Sequence, residues 1–135
     1  MRLKLVAHTP DVEALIATAM LTTTSGSGPS AIFRRLSRDP TRVARLVGRL
    51  EAQHGSILEH NRFCWILEAV EGEVLDILLK SRFFNFTRLD ESRWMLSCNL
   101  RTAVECAQGS RDPFAEALVD SIRGAAPTIV SSMEA

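Results

Sequence analysis

Two imidazoles, a hydroxyl and a carboxylate fall within the seven residues His54-Gly55-Ser56-Ile57-Leu58-Glu59-His60, immediately before the apolar run Phe63 to Leu67. A run of that kind begins a buried strand. Polar groups at its mouth must then pair with one another, cap the preceding helix or meet a ligand, because leaving them desolvated and unpaired is costly. Gly55 lets the chain turn there. If Ser56 then starts an extended piece, Glu59 and His60 point to opposite faces, so strand geometry alone cannot bring them to one metal. His8 is the only other histidine, and a mononuclear site needs a third well-placed ligand, so we expect no metal centre. A Ser-His-Glu nucleophile arrangement needs an oxyanion hole, and no G-x-S-x-G occurs. Helix capping and a ligand pocket both stay open as readings of this segment.

The chain has 135 residues, with 46% apolar and 24% charged, which is the balance of a soluble protein with one core, and we read residues 1–135 as a single domain. No stretch approaches the roughly 20 apolar residues of a membrane span, and Asp11 and Glu13 follow Lys4 too soon for a signal peptide, so no membrane and a cytoplasmic location are expected. Cys64, Cys98 and Cys106 are odd in number and lack a C-x-x-C spacing, which reads as packed, reduced thiols. Sixteen basic residues balance sixteen acidic ones, so no global field favours nucleic acid. Within that balance Arg34, Arg35, Arg38, Arg42, Arg45 and Arg49 cluster, the last four at helical spacing. They make either a solvated helix face or an anion surface.

Alternation at Leu3, Leu5 and Ala7 predicts a strand, and Val12, Leu15, Ile16 and Ala19 predict a helix that Thr9 can cap with Pro10 in its first turn. Thr22 to Ser30 reads as a flexible loop without the Gly-Lys-Ser/Thr ending of a P-loop. A helix capped by Asp39 is predicted to run from Pro40 to about Gln53. Strands are expected at Arg62–Glu68 and Trp94–Cys98 and a strand or extended loop at Phe83–Thr87, with helices at Glu73–Lys80, Leu100 to about Gln108 behind the cap Asn99, and Asp112–Arg123. Strands and helices without regular βαβ alternation predict the α+β class.

The order of these segments resembles one family. His54 to His60 leading into Asn61-Arg62-Phe63-Cys64-Trp65 is similar to the histidine-to-glutamate-histidine turn and following strand of the flavin-dependent thymidylate synthases. Lys80-Ser81-Arg82-Phe83-Phe84-Asn85-Phe86-Thr87 resembles that family's Arg-His-Arg, two residues, Ser-aromatic-Asn signature. Glu91-Ser92-Arg93-Trp94 is similar to its Ser-x-Arg-Tyr close, and Asn99-Leu100-Arg101 to the Asn-x-Arg that begins a later helix. The likeness spans roughly residues 40 to 124.

The resemblance implies an α+β fold with a mixed sheet packed by helices, and a cofactor groove formed between subunits of a homo-oligomer, a tetramer. It implies FAD as cofactor, NADPH as reductant, and transfer of a methylene carbon from a folate to dUMP followed by hydride reduction. By the same resemblance Ser56, Glu59, Lys80, Ser81, Arg82, Asn99 and Arg101 would bind the cofactor. His54 and Arg82 would stand nearest the chemistry, and Ser92, Arg93 and Arg111 would hold the substrate. Lys80, Arg82 and Arg101 suit a pyrophosphate and an anionic reduced flavin by charge.

The sequence departs from the family at definite places. Lys80 stands for the first signature arginine, Ser81 for its histidine and Ile77 for an upstream glutamine, while Arg93 runs almost directly into the next strand, so the family's intervening segment is nearly absent. A non-catalytic relative, acting as an accessory subunit that binds a nucleotide or a protein partner, is the alternative these departures imply.

Overall fold

In the computed structural model, Thr23, Glu51 and Ala135 lie outside the described residues, as do the side chains of Ala52, Gln53 and His54. Four strands, β1 (Arg2–His8), β2 (Phe63–Glu68), β3 (Asn85–Arg88) and β4 (Arg93–Cys98), form one sheet in the order β1-β2-β4-β3. The expected α+β class is what the fold shows, with every strand pair antiparallel rather than mixed. Alternation along β2 and β4 buries Phe63, Trp65, Leu67, Trp94, Leu96 and Cys98 and leaves Arg93 and Met95 exposed. One face of the sheet therefore carries the core, as period-two patterning demands.

The helices are α1 (Val12–Thr22), α2 (Pro29–Leu36), α3 (Pro40–Val47), α4 (Glu71–Lys80), α5 (Leu100–Gly109), α6 (Pro113–Ile122) and α7 (Pro127–Glu134), with a 3₁₀ segment at Ala52–Glu59. Trp65 at the centre of β2 donates its indole N–H to Ser121 of α6 at 2.8 Å, which ties the helical layer to the sheet. Asp39, Asn99 and Asp112 each accept a backbone N–H from the third residue onward, capping α3, α5 and α6. Such caps are worth about 1 kcal/mol each.

Several boundaries differ from the sequence reading. Helix α1 starts at Val12, because the Thr9 hydroxyl accepts the Arg62 backbone N–H at 2.8 Å and so extends the β1–β2 pairing instead of capping the helix. The predicted loop Thr22–Ser30 ends early, since Pro29 opens α2, and α3 stops at Val47, so Arg38 and Arg49 flank that helix rather than lie on it. The segment from Ser56 to Glu59 is 3₁₀ helix, not extended chain. Helix α7 was not anticipated, and its third residue, Ile129, donates its N–H to the buried carboxylate of Glu13 at 2.9 Å.

Candidate functional site

Helix α5 lies between the two polar clusters that the sequence singles out. On one side, Arg101 donates through one terminal nitrogen to Glu59 and through Nε to Glu105, each at 3.0 Å. These two carboxylates raise the Arg101 guanidinium above its ordinary pKa, the Glu105 hydrogen bond contributing most. Asn61 locks the junction, accepting the Leu100 N–H at 2.7 Å while donating to the Leu58 carbonyl at 2.9 Å. Gly55 lies directly against Arg101: a Cβ on it would stand 3.0 Å from Nε. A Cβ at residue 55 would make the Arg101 guanidinium give by a few tenths of an ångström.

On the other side, a groove of ≈ 470 Å³ is bounded by Lys80 at the end of α4, by Ser81, Arg82 and Phe83 after it, and by Thr102, Glu105, Cys106, Gly109 and Ser110 of α5 and its end. Glu105 thus belongs to both sides, facing the groove while holding Arg101. Lys80 is engaged already: it donates to Ser110 at 3.1 Å and forms an ion pair with Asp112. That ammonium holds the Asp112 carboxyl below its ordinary range. Arg82 differs in that its guanidinium sits 5.0 Å from the Phe83 ring centroid and, among the described residues, makes no ion pair. A stacked arginine with its N–H donors unengaged is a ready anion ligand. Burial pushes the Cys106 thiol up, so it lines the groove as a neutral apolar group.

The chain therefore brings Lys80, Ser81 and Arg82 together in one groove and joins Glu59 to Arg101 across α5. Asn99 contributes by capping α5, its side-chain oxygen accepting the Thr102 N–H at 3.0 Å. Ser56 is exposed on the 3₁₀ segment. The side chain of His54 lies outside the described residues. Ser92 and Arg93 sit elsewhere, at the end of the β3–β4 turn and the start of β4, where Asp90 accepts from both backbone N–H groups and from the Arg93 guanidinium at 2.6 Å. Arg93 borders a hollow on the open sheet face together with Arg2, Lys4 and Glu68. Arg111 borders a third hollow, with Glu116 and Arg123, which meets the groove at Ser110. Within one chain Ser92 and Arg93 occupy a different surface from the cofactor candidates, while Arg111 borders a hollow that adjoins the groove.

Sequence reasoning missed Thr102, Glu105, Cys106 and Asp112. The first three follow the 3.6-residue period of α5 from its cap at Asn99, so the helix register held that signal. Asp112 pairs with Lys80 across 32 positions, and no local pattern marks that.

The arrangement defines a class first: an α+β protein with helices gathered on the core face of a four-stranded antiparallel sheet and a groove beside α5 lined by Lys80, Arg82 and Glu105. A solved structure with this fold is the crystal structure of flavin dependent thymidylate synthase ThyX from Helicobacter pylori complexed with FAD and dUMP, to which the chain is similar with a TM-score of 0.69 and 12% identity, over 98% of this chain and 99% of that one. The likeness at that identity is one of fold. No protein-family model matches the sequence, and no curated protein matches it.

Among the described residues no helix is long and apolar enough to cross a membrane, and no group of three or more His, Cys, Asp or Glu side chains is placed to hold a metal ion.

Proposed function

We propose that this chain is a shortened relative of the flavin-dependent thymidylate synthases, a single unit over residues 1–135 without the family's segment between the signature and β4. In this reading it holds FAD between subunits of a homo-oligomer, a tetramer, and converts dUMP with a methylene-folate and NADPH. The observation that carries the proposal is the groove beside α5, because the signature-like Lys80-Ser81-Arg82 and the Glu59–Arg101 pair flank one helix of a fold shared with an enzyme crystallised with FAD and dUMP.

The donor set suits the cofactor. Arg82 and Lys80 offer cationic N–H groups for a pyrophosphate, and Arg101, held by Glu59 and Glu105, adds guanidinium N–H donors whose orientation need not reorganise on binding. Gly55 leaves the space this requires. A bound flavin would supply hydride chemistry. The chain's own part is positional: Asn99 fixes the start of α5, Glu59 and Glu105 aim Arg101, and Phe83 backs the Arg82 guanidinium. A groove of ≈ 470 Å³ on one chain is open and small for a dinucleotide, which is why the reading places the cofactor between copies. Ser92 and Arg93, lying on another surface, would reach substrate only from a neighbouring copy, whereas Arg111 adjoins the groove of its own chain at Ser110.

Ser81 in the place of the signature imidazole favours a second reading, a non-catalytic accessory subunit that keeps nucleotide binding. Tritium release from 5-labelled dUMP, with FAD, NADPH and methylene-folate present, separates the two. Release above the protein-free rate supports the synthase. Absence of release by protein that binds FAD supports the accessory subunit.

A further inference from the structure

Helix α4 exposes an apolar ridge. Leu75 is 55% exposed, Leu78 41% and Leu79 78%, while Val74 and Ile77 on the opposite side are buried. With Val70 before the helix and Phe83 after it, this stretch holds five of the nine large apolar side chains found exposed among the described residues. Apolar surface concentrated in this way on one short element marks an interaction site rather than the usual scatter. Charge is ordered along the same ridge: Glu71 and Glu73 lie at its start, Lys80 and Arg82 at its end.

We propose that the occupant of this face is α4 of a second copy of the chain, packed antiparallel about a twofold axis between Asp76 and Ile77. That axis sets Leu75 against the partner subunit's Leu78, and Glu71 opposite the partner subunit's Arg82. A twofold contact must be self-complementary, and a helix acidic at one end, apolar in the middle and basic at the other meets that condition only in the antiparallel sense. The two charges are available for it. Glu71 otherwise meets only Arg88, at 3.9 Å on open surface, and Arg82 forms no ion pair among the described residues. Because Arg82 and Phe83 border the groove beside α5, the partner's Glu71 would stand at the groove's rim and complete its wall. The proposal rests on the homo-oligomer part of the functional reading and not on the flavin.

Light scattering on the purified full-length chain tests it, with absorbance at 450 nm after FAD addition read separately. The wild-type chain is expected to show a mass of two chains or a multiple, and Leu78→Asp to halve that mass with an unchanged circular dichroism spectrum. Glu71→Arg and Arg82→Glu should each lower the mass, and their combination should restore it. A single-chain wild-type mass overturns both this contact and the shared groove. A wild-type oligomer untouched by Leu78→Asp and by Leu79→Asp, or single charge reversals that the combination does not rescue, overturn the α4 contact alone. Loss of FAD binding with the mass changes intact would leave it standing.

Discussion

The guanidinium of Arg101 occupies the space that a side chain at Gly55 would need, with Nε 3.0 Å and Cζ 3.2 Å from where a Cβ would lie. The crowding atoms are the far end of a flexible side chain, so Gly55→Ala should cost little stability and instead shift the Arg101 guanidinium by a few tenths of an ångström against Glu59 and Glu105. We expect the melting temperature to move by less than about 2 °C, as a change below roughly 0.5 kcal/mol implies, while flavin affinity falls severalfold. Unchanged affinity in Gly55→Ala would remove Arg101 from the site.

Arg82 and Lys80 should not contribute equally to binding. Lys80 must give up part of its contact with Asp112 and Ser110 to meet an anion, whereas Arg82 has no ion pair within its own chain among the described residues and would share only the exposed, rim-placed Glu71 of the partner subunit. Charge-assisted contacts are worth about 1.5 to 3 kcal/mol each, so Arg82→Ala should weaken FAD binding at least tenfold and Lys80→Ala less. Isothermal titration of the two variants decides the order, and the reverse ranking would contradict the geometry.

Much of this was legible in the sequence, for physical reasons that differ by element. Caps at Asp39 and Asn99 and the alternation of β2 and β4 are local signals, and they placed the starts of α3 and α5 and the bounds of both strands within a residue or two, whereas the end of α3 came six residues before the predicted one. The 3₁₀ segment was not legible, because Ile57 and Leu58 carry the composition of an incoming strand while Asn61 turns the chain by a bond to the Leu58 carbonyl. Thr9 has the residue type of a helix cap, yet its hydroxyl serves the backbone of Arg62, 53 positions away. The groove was half visible: Lys80 to Arg82 stand together in the chain, whereas Asp112 and Glu105 join them only through the packing of α5.

The Lys80–Asp112 pair predicts an acid-sensitive contribution to stability. Asp112 has its carboxyl lowered from an ordinary value of 3.8, chiefly by the Lys80 hydrogen bond. The stabilisation is therefore complete above about pH 3.8 and is lost as the pH falls through the lower folded-state value. Asp112→Asn keeps the cap on α6 and removes only the charge, so its melting temperature should lie below wild type at pH 6 and converge with it as the pH falls below 3.8. A constant gap between the two profiles would contradict the pairing.

Glu13 supports the fold from a distance. It is 8% exposed, and its carboxylate accepts the Ile129 N–H at the start of α7 across 116 positions. Negative charge at a helix N-terminus is favourable, and the helix amide is left orphaned if the acceptor goes. Glu13→Ala should therefore destabilise by about 1 to 3 kcal/mol, read as a lower urea midpoint. A wild-type midpoint would mean that α7 docks without this bond.

Thermal denaturation of the purified chain with and without a hundredfold excess of FAD over its dissociation constant tests the central claim most directly. Ligand that binds only the folded state at that ratio adds about 2.7 kcal/mol, so a rise of several degrees is expected in the wild type and a much smaller one in Lys80→Ala/Arg82→Ala. A melting temperature that ignores FAD up to millimolar concentration, in protein that purifies without colour, would contradict a flavin site beside α5.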